Sequence, residues 1–249
     1  MMQFSIVEQI ALVVFLLSGI SFFLYHLLIR LKIVLKGKSN FSIDELPKRI
    51  KRVFDEVILH KKVASGKRKS AGILHALVMY GFIFFGLITI NHFGMAFGLP
   101  IFSDSIRHTY FLFFGAPWAI LCSIGILGLA YRRFVIKPEA LGKFSSTSAI
   151  VSVFIVTLMV TYLIDEFHIL SGTAEKFNWW LHSGVIGGFL FLIPQSKHMH
   201  LVLSPFNIFL RPFEVPSHGA IPIDMEASEE ELDNLLLDLS RLSKDQALD

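Results

Sequence analysis

The sequence predicts an all-α integral membrane protein with five transmembrane helices in a bundle, an interfacial amphipathic helix and a short cytoplasmic tail. Three observations lead there. Of its 249 residues 53% are hydrophobic, with 25 Phe, and the mean hydropathy is strongly positive, which is too apolar for an ordinary soluble domain. Apolar runs recur at lengths that cross a hydrocarbon layer of about 30 Å. Lys and Arg, finally, are concentrated in alternate connecting segments, as in multi-pass bacterial membrane proteins.

The first run, Ile6 to Ile29, is preceded by no basic residue, carries Glu8 near its start and lacks a small-residue cleavage site. It is therefore expected to be a retained span and not a removable signal peptide. Residues 41–62 place Ile43, Leu46, Ile50, Val53, Phe54, Val57 and Ile58 at helical spacing among Lys48, Arg49, Lys51, Arg52, Lys61 and Lys62. That pattern predicts an amphipathic helix in the cytoplasmic interface, a linker or a docking platform for a soluble redox partner. Ser42 and Glu45 resemble a capping box, while Pro47 places the start of the regular helix slightly later. The second and third spans run from Ala71 to Phe93 and from Thr109 to Tyr131. The fourth, Thr147 to Leu163, is the shortest because Asp165, Glu166 and His168 follow closely, and the fifth runs from Trp179 to Leu203. Residues 1–204 thus form the membrane domain. In the remainder, 205–249, Ser204-Pro205 and Arg211-Pro212 are expected to break regular structure, and Val215 to Ile223 reads as a linker. Leu232, Leu235, Leu236, Leu239 and Leu242 then make one face of an acidic stretch that needs a partner to pack on.

Of the 23 basic residues, thirteen lie between Arg30 and Lys69, and only Arg107 and Lys176 fall in the loops on the opposite side. The positive-inside rule places the N-terminus outside and the C-terminus in the cytoplasm. The net charge of +3 hides an acidic tail with ten Asp and Glu from Glu214 onward. Nucleic acid is excluded as a partner on this pattern; the basic loop suits anionic membrane lipid and the tail suits a protein. Cys122 is the only cysteine, so the chain has no disulfide and no iron–sulfur cluster of its own.

Four histidines carry the chemistry. His182 and His200 are eighteen residues apart in the fifth expected span, and His75 and His92 are seventeen apart in the second. Eighteen residues make about 27 Å and close five turns onto one helix face, so one helix can offer an imidazole at each membrane surface. Two such helices, antiparallel, give two stacked pairs, each able to hold a haem iron from both sides. By depth, His75 lies near the cytoplasmic face with His200, and His92 near the outer face with His182. Seventeen residues leave His92 about 100° off the face of His75, so tilt, a bulge or a ligand from elsewhere is required; His108 and His168 are the competing outer candidates. Gly184, Gly187, Gly188, Gly81 and Gly86 remove bulk where a macrocycle must pass, although Gly184 and Gly188 also fit close helix packing. Pro194 is expected to kink the helix by removing the hydrogen bond to the Leu190 carbonyl. The competing reading makes His182 and His200 ordinary interfacial residues beside Trp179, Trp180 and Lys197. His26 and His60 read as structural or surface residues, and His198 is turned away from His200 if the helix is continuous.

Several segments are also familiar in wording: Arg49 to His60, Gly72-Ile-Leu-His75-Ala-Leu with Gly81-Phe82, Trp180-Leu-His182, and Ile193-Pro-Gln-Ser-Lys197 to His200 with Pro205-Phe-Asn-Ile-Phe209. Together they resemble the N-terminal membrane part of bacterial iron–sulfur reductases related to heterodisulfide reductase, including proposed electron-transfer-flavoprotein:menaquinone oxidoreductases. That part is similar to the gamma subunit of respiratory nitrate reductase, a five-helix cytochrome b with two b-type haems. The resemblance covers about Arg49 to Phe209. It implies His75 and His200 as ligands of the cytoplasm-side haem and His182 as one ligand of the outer haem; His92 is assigned by depth. Family members continue into paired four-cysteine motifs and a cysteine-rich reductase domain. None is present before Asp249, so the expectation is either a separately encoded or truncated membrane subunit, or clusters that sit on a partner.

The function expected is that of a diheme cytochrome b moving electrons between a cytoplasmic iron–sulfur or flavoprotein module and membrane menaquinone or ubiquinone. A non-redox anchor that recruits a soluble enzyme is the alternative. A proton or metal transporter fits least, for want of charges in the helix middles or an inverted repeat.

Overall fold

The computed structural model describes residues 4–36, 45–61, 69–138, 141, 144–211 and 213. Among them every regular element is helical. Four helices are long and apolar enough to cross a membrane: α1 (Ile6–Lys36, apolar over Ile6–Lys32), α3 (Lys69–Ala96), α4 (Asp104–Ile136) and α5 (Ser146–Glu166). These mark a membrane protein. The chain divides into two compact units, one of Met1–Ile20 and Lys62–Leu192, the other of Ser21–Lys61 and Ile193–Asp249.

In the first unit α3, α4, α5 and α6 (Gly172–Leu192) pack consecutively, each on the next. Small residues set the α3–α4 spacing. A Cβ on Gly125 would lie 2.8 Å from the Leu74 carbonyl oxygen, and one on Gly81 would lie 2.8 Å from Cys122 Sγ. Close backbone approach of this kind lets dispersion hold helices that lipid does not push together. Ser103 caps α4, its hydroxyl accepting from the Ile106 amide at 3.4 Å. A π-turn at Phe111–Gly115 interrupts α4 just before Pro117, which has no N–H to give the Phe113 carbonyl. Asn91 Oδ1 accepts from the amides of Ile101 and Phe102 at 2.9 and 3.0 Å, tying the α3–α4 loop to the end of α3.

Two expected boundaries move. α5 extends through Asp165 and Glu166, because Arg107 of α4 pairs with Glu166 at 3.1 Å and offsets the cost of a part-buried carboxylate. The expected span Trp179 to Leu203 is not one helix. α6 begins at Gly172 and ends at Leu192, a turn with Ser196 donating to Ile193 follows, then a 3₁₀ turn at Lys197–Met199 and α7 (His200–Leu210). Pro194 terminates the helix instead of kinking it, and the Ser196 hydroxyl caps the next turn by accepting from the His198 amide at 3.2 Å. Conversely, Pro205 lies inside α7, which runs past the expected break to Leu210.

In the second unit α2 is Leu46–Val53, continued by a π-turn at Phe54–Ile58. The helix starts at Leu46 with Pro47 in its first turn; Ser42 and the acidic tail lie outside the described residues. Arg49 is buried, donating to the Phe209 carbonyl at 2.8 Å and to Glu45 at 2.7 Å. Arg52 donates to the Arg211 carbonyl, Arg211 pairs with Glu56, and the Arg52 guanidinium lies 3.6 Å from the Phe213 ring centre. Burial, with Arg211 and Arg49 nearby, lowers the Arg52 pKa from its ordinary value. These bonds fix α2 to the end of α7, while Leu46, Ile50 and Phe54 stay exposed at i, i+4, i+8.

A candidate cofactor site between α3, α5 and α6

The α3, α5 and α6 helices of the first unit bring His92, Thr161 and His182 together. The rings of His92 and His182 have centres 4.9 Å apart, tilted by 52°. Trp179, one turn before His182, stacks on His92 at 4.7 Å and 14° and is itself buried against Leu12 and Ala96. Ser183, fully buried, places its Oγ 3.0 Å from His92 Nε2. Trp179, His182 and Ser183 stand at i, i+3 and i+4 and so share a helix face.

The contacts of the Thr161 hydroxyl favour one protonated nitrogen of His182. Thr161 Oγ1 lies 2.6 Å from the Thr157 carbonyl and 3.2 Å from that of Leu158. A carbonyl only accepts, so the single hydroxyl proton is directed there. Towards His182 Nδ1, at 2.7 Å, the hydroxyl can then only accept. His182 is accordingly the Nδ1–H tautomer, with a free electron pair on Nε2, the form in which imidazole binds a metal. Asn178, one turn earlier on α6, donates to the Thr161 carbonyl at 2.9 Å and locks α5 to α6 at this level.

Two cavities adjoin the site. One of about 330 Å³ is lined by His92, Trp179, Arg107, Asp165, His168 and Glu175 among others. The other, about 240 Å³ and largely apolar, is lined by Phe85, Gly86, Thr89, Leu158, Ile186 and Phe189 among others; Thr89 and Ile186 are one turn from His92 and His182. A Cβ on Gly86 or Gly184 would touch nothing within 4 Å, whereas Gly187 is filled by the Phe15 ring and Gly188 by that of Phe154. Close packing thus involves Gly187 and Gly188, and Gly184 stands in open space.

The other predicted residues fall elsewhere. His75 is exposed on α3 in the first unit, and His200 is the first residue of α7 in the second. His182 and His200 therefore do not share a helix face, and the five-turn argument linking them fails because of the break after Leu192. His200 Nδ1 lies 2.8 Å from the Lys197 carbonyl, which makes Nδ1 the donor. His108 and His168 are exposed, and the His26 ring stacks on Phe22 and Tyr25. Thr161, Asn178 and Ser183 were not singled out in the sequence; their only signal is a polar side chain in an apolar run at the depth of a histidine.

Among the described residues no three His, Cys, Asp or Glu side chains converge as a metal cage. The His92–His182 pair offers two ligands, the number required by a planar macrocycle that brings four of its own. Gly86 and Gly184 face open space, whereas the cavity lined by both rings is about 10 Å³, so binding such a group requires the helices to part at this level.

No protein-family model matches the chain, and no solved structure does. Two curated proteins are similar. The "Probable iron-sulfur-binding oxidoreductase FadF" of Bacillus subtilis is 28% identical over 246 residues, covering 86% of this chain and 34% of that protein. The "EtfAB:quinone oxidoreductase" of Syntrophomonas wolfei is 22% identical over 262 residues, covering 87% of this chain and 35% of that protein. The chain is related to these oxidoreductases at low identity and spans about a third of their length.

Proposed function

We propose that this chain is a two-haem cytochrome b that connects an iron–sulfur or flavoprotein electron-transfer module in the cytoplasm with the membrane quinone pool. The observation that carries the reading is the His92–His182 pair, two imidazoles from separate helices with rings 4.9 Å apart and with His182 Nε2 left as a ligand. The names of the two relatives supply the iron–sulfur and quinone expectations. The Lys and Arg distribution assigns this pair to the outer face. His75 and His200 are each proposed as haem ligands on their sequence depth and the family resemblance.

Each haem, when bound, supplies a one-electron iron couple. The chain's own residues do the rest. His92 and His182 hold the outer group, and Trp179 covers the His92 ring on one side and keeps water from it. Ser183 and Thr161 orient the two imidazoles. We place the quinone headgroup in the 330 Å³ cavity, a volume that suits a small cofactor. His92 and Trp179 form its wall towards the haem site. Arg107 and His168 can donate to quinone oxygens, and Asp165, Asp104 and Glu175 can receive the two protons a quinol loses.

Asp165→Asn keeps shape and removes a proton acceptor. Anaerobic reduction of the haems by a soluble menaquinol analogue, followed by stopped-flow absorbance, is expected to slow by about 100-fold with unchanged haem spectra. An unchanged rate removes the quinone from this cavity. Failure of the quinol to reduce the wild-type haems at all contradicts the quinone-linked function.

A further inference from the structure

We infer that Thr161 is a positioning residue for the outer haem, its hydroxyl fixing the tautomer of His182 and lowering the reduction potential of that haem. The inference rests on the cytochrome reading above. It starts from a hydroxyl that is 4% exposed in the middle of an apolar bundle and yet fully used. The proton goes to the Thr157 carbonyl at 2.6 Å, and a lone pair faces His182 Nδ1 at 2.7 Å. A threonine bonded back along its own helix would ordinarily stop there; here the second bond crosses from α5 to α6.

Two consequences follow. The ring of His182 cannot exchange its nitrogens without placing an electron pair against an oxygen that has no proton left to give. Nε2 is thus kept bare and at the far side of the ring from α5. An acceptor on Nδ1–H also raises the electron density that Nε2 offers to a metal, which favours Fe(III) over Fe(II). Asn178 makes the arrangement rigid, because its amide holds the Thr161 carbonyl at 2.9 Å from the same helix that carries His182.

Thr161→Val has the same shape and no acceptor, and Thr161→Ser keeps the hydroxyl without the methyl. Both are tested in the full chain, purified with haem, by pyridine haemochrome quantification and a spectroelectrochemical redox titration. In Thr161→Val the potential of one haem rises by roughly a tenfold change in oxidised-to-reduced ratio, about 59 mV for one electron, and the other haem is unmoved. Thr161→Ser returns the wild-type potential. Loss of one haem in the valine variant with full retention in the serine variant supports the same role. Unchanged potentials in Thr161→Val, or equal loss of haem in both variants, overturns it while leaving the cytochrome reading in place. A wild-type chain without haem overturns the cytochrome reading itself.

Discussion

Replacing His182 with alanine is expected to remove one of the two proposed haems and to leave the other in a folded protein. The expected content falls from about two b-type haems per chain to about one. His182 is hydrogen-bonded to Thr161 and its ring is tilted against His92, so its removal leaves the α5–α6 lock through Asn178 intact. His92→Ala gives the same loss, and the double variant loses no more than either alone, since two ligands of one iron act as a unit. His200→Ala removes the other haem, and its spectrum complements that of His182→Ala. Reduced-minus-oxidised spectra resolve the two bands. Retention of both haems in His182→Ala contradicts the assignment.

The largest structural effect is expected at Gly125. A Cβ there meets the Leu74 carbonyl oxygen at 2.8 Å, Leu77 Cβ at 3.1 Å and Val78 Cγ2 at 3.1 Å. The first of these is backbone and cannot rotate away, so Gly125→Ala must push α3 from α4. Overpacking of this kind costs about 1–3 kcal/mol, read as a lower thermal midpoint in detergent. Gly187→Ala is expected to cost less although its nearest atom is closer, because that atom is the tip of the Phe15 ring. The unsubstituted chain and Gly187→Ala serve as the references for stability. A Gly125→Ala midpoint equal to theirs contradicts the close-packed α3–α4 seam.

Helix existence was legible in the sequence because lipid imposes a single solution, and each long apolar run from α1 to α5 became a helix. Element ends were less so. Pro194 was visible, but whether a proline kinks a helix or ends it depends on what else satisfies the freed groups. Here Ser196, two residues on, provides a cap that a kinked helix does not need. That choice separates His182 from His200 and dissolves the same-face argument, although the depth argument that coupled His182 with His92 agrees with their proximity. Angular offset between His75 and His92 does not enter that contact, because His92 meets His182 across helices. Glycines showed the same limit. Gly184, Gly187 and Gly188 look alike in sequence, and only the packing of Phe15 and Phe154 distinguishes filled from open positions. Thr161 was silent because a hydroxyl in an apolar run usually bonds to its own helix. Its second bond exists only after α5 and α6 are docked.

The central claim is that this chain holds two haems between paired histidines. Its most direct test is a dithionite-reduced minus oxidised absorbance spectrum of the detergent-purified, haem-replete chain, with pyridine haemochrome quantification against protein. About two b-type haems per chain are predicted. A folded protein containing none contradicts the claim and leaves a membrane anchor in its place.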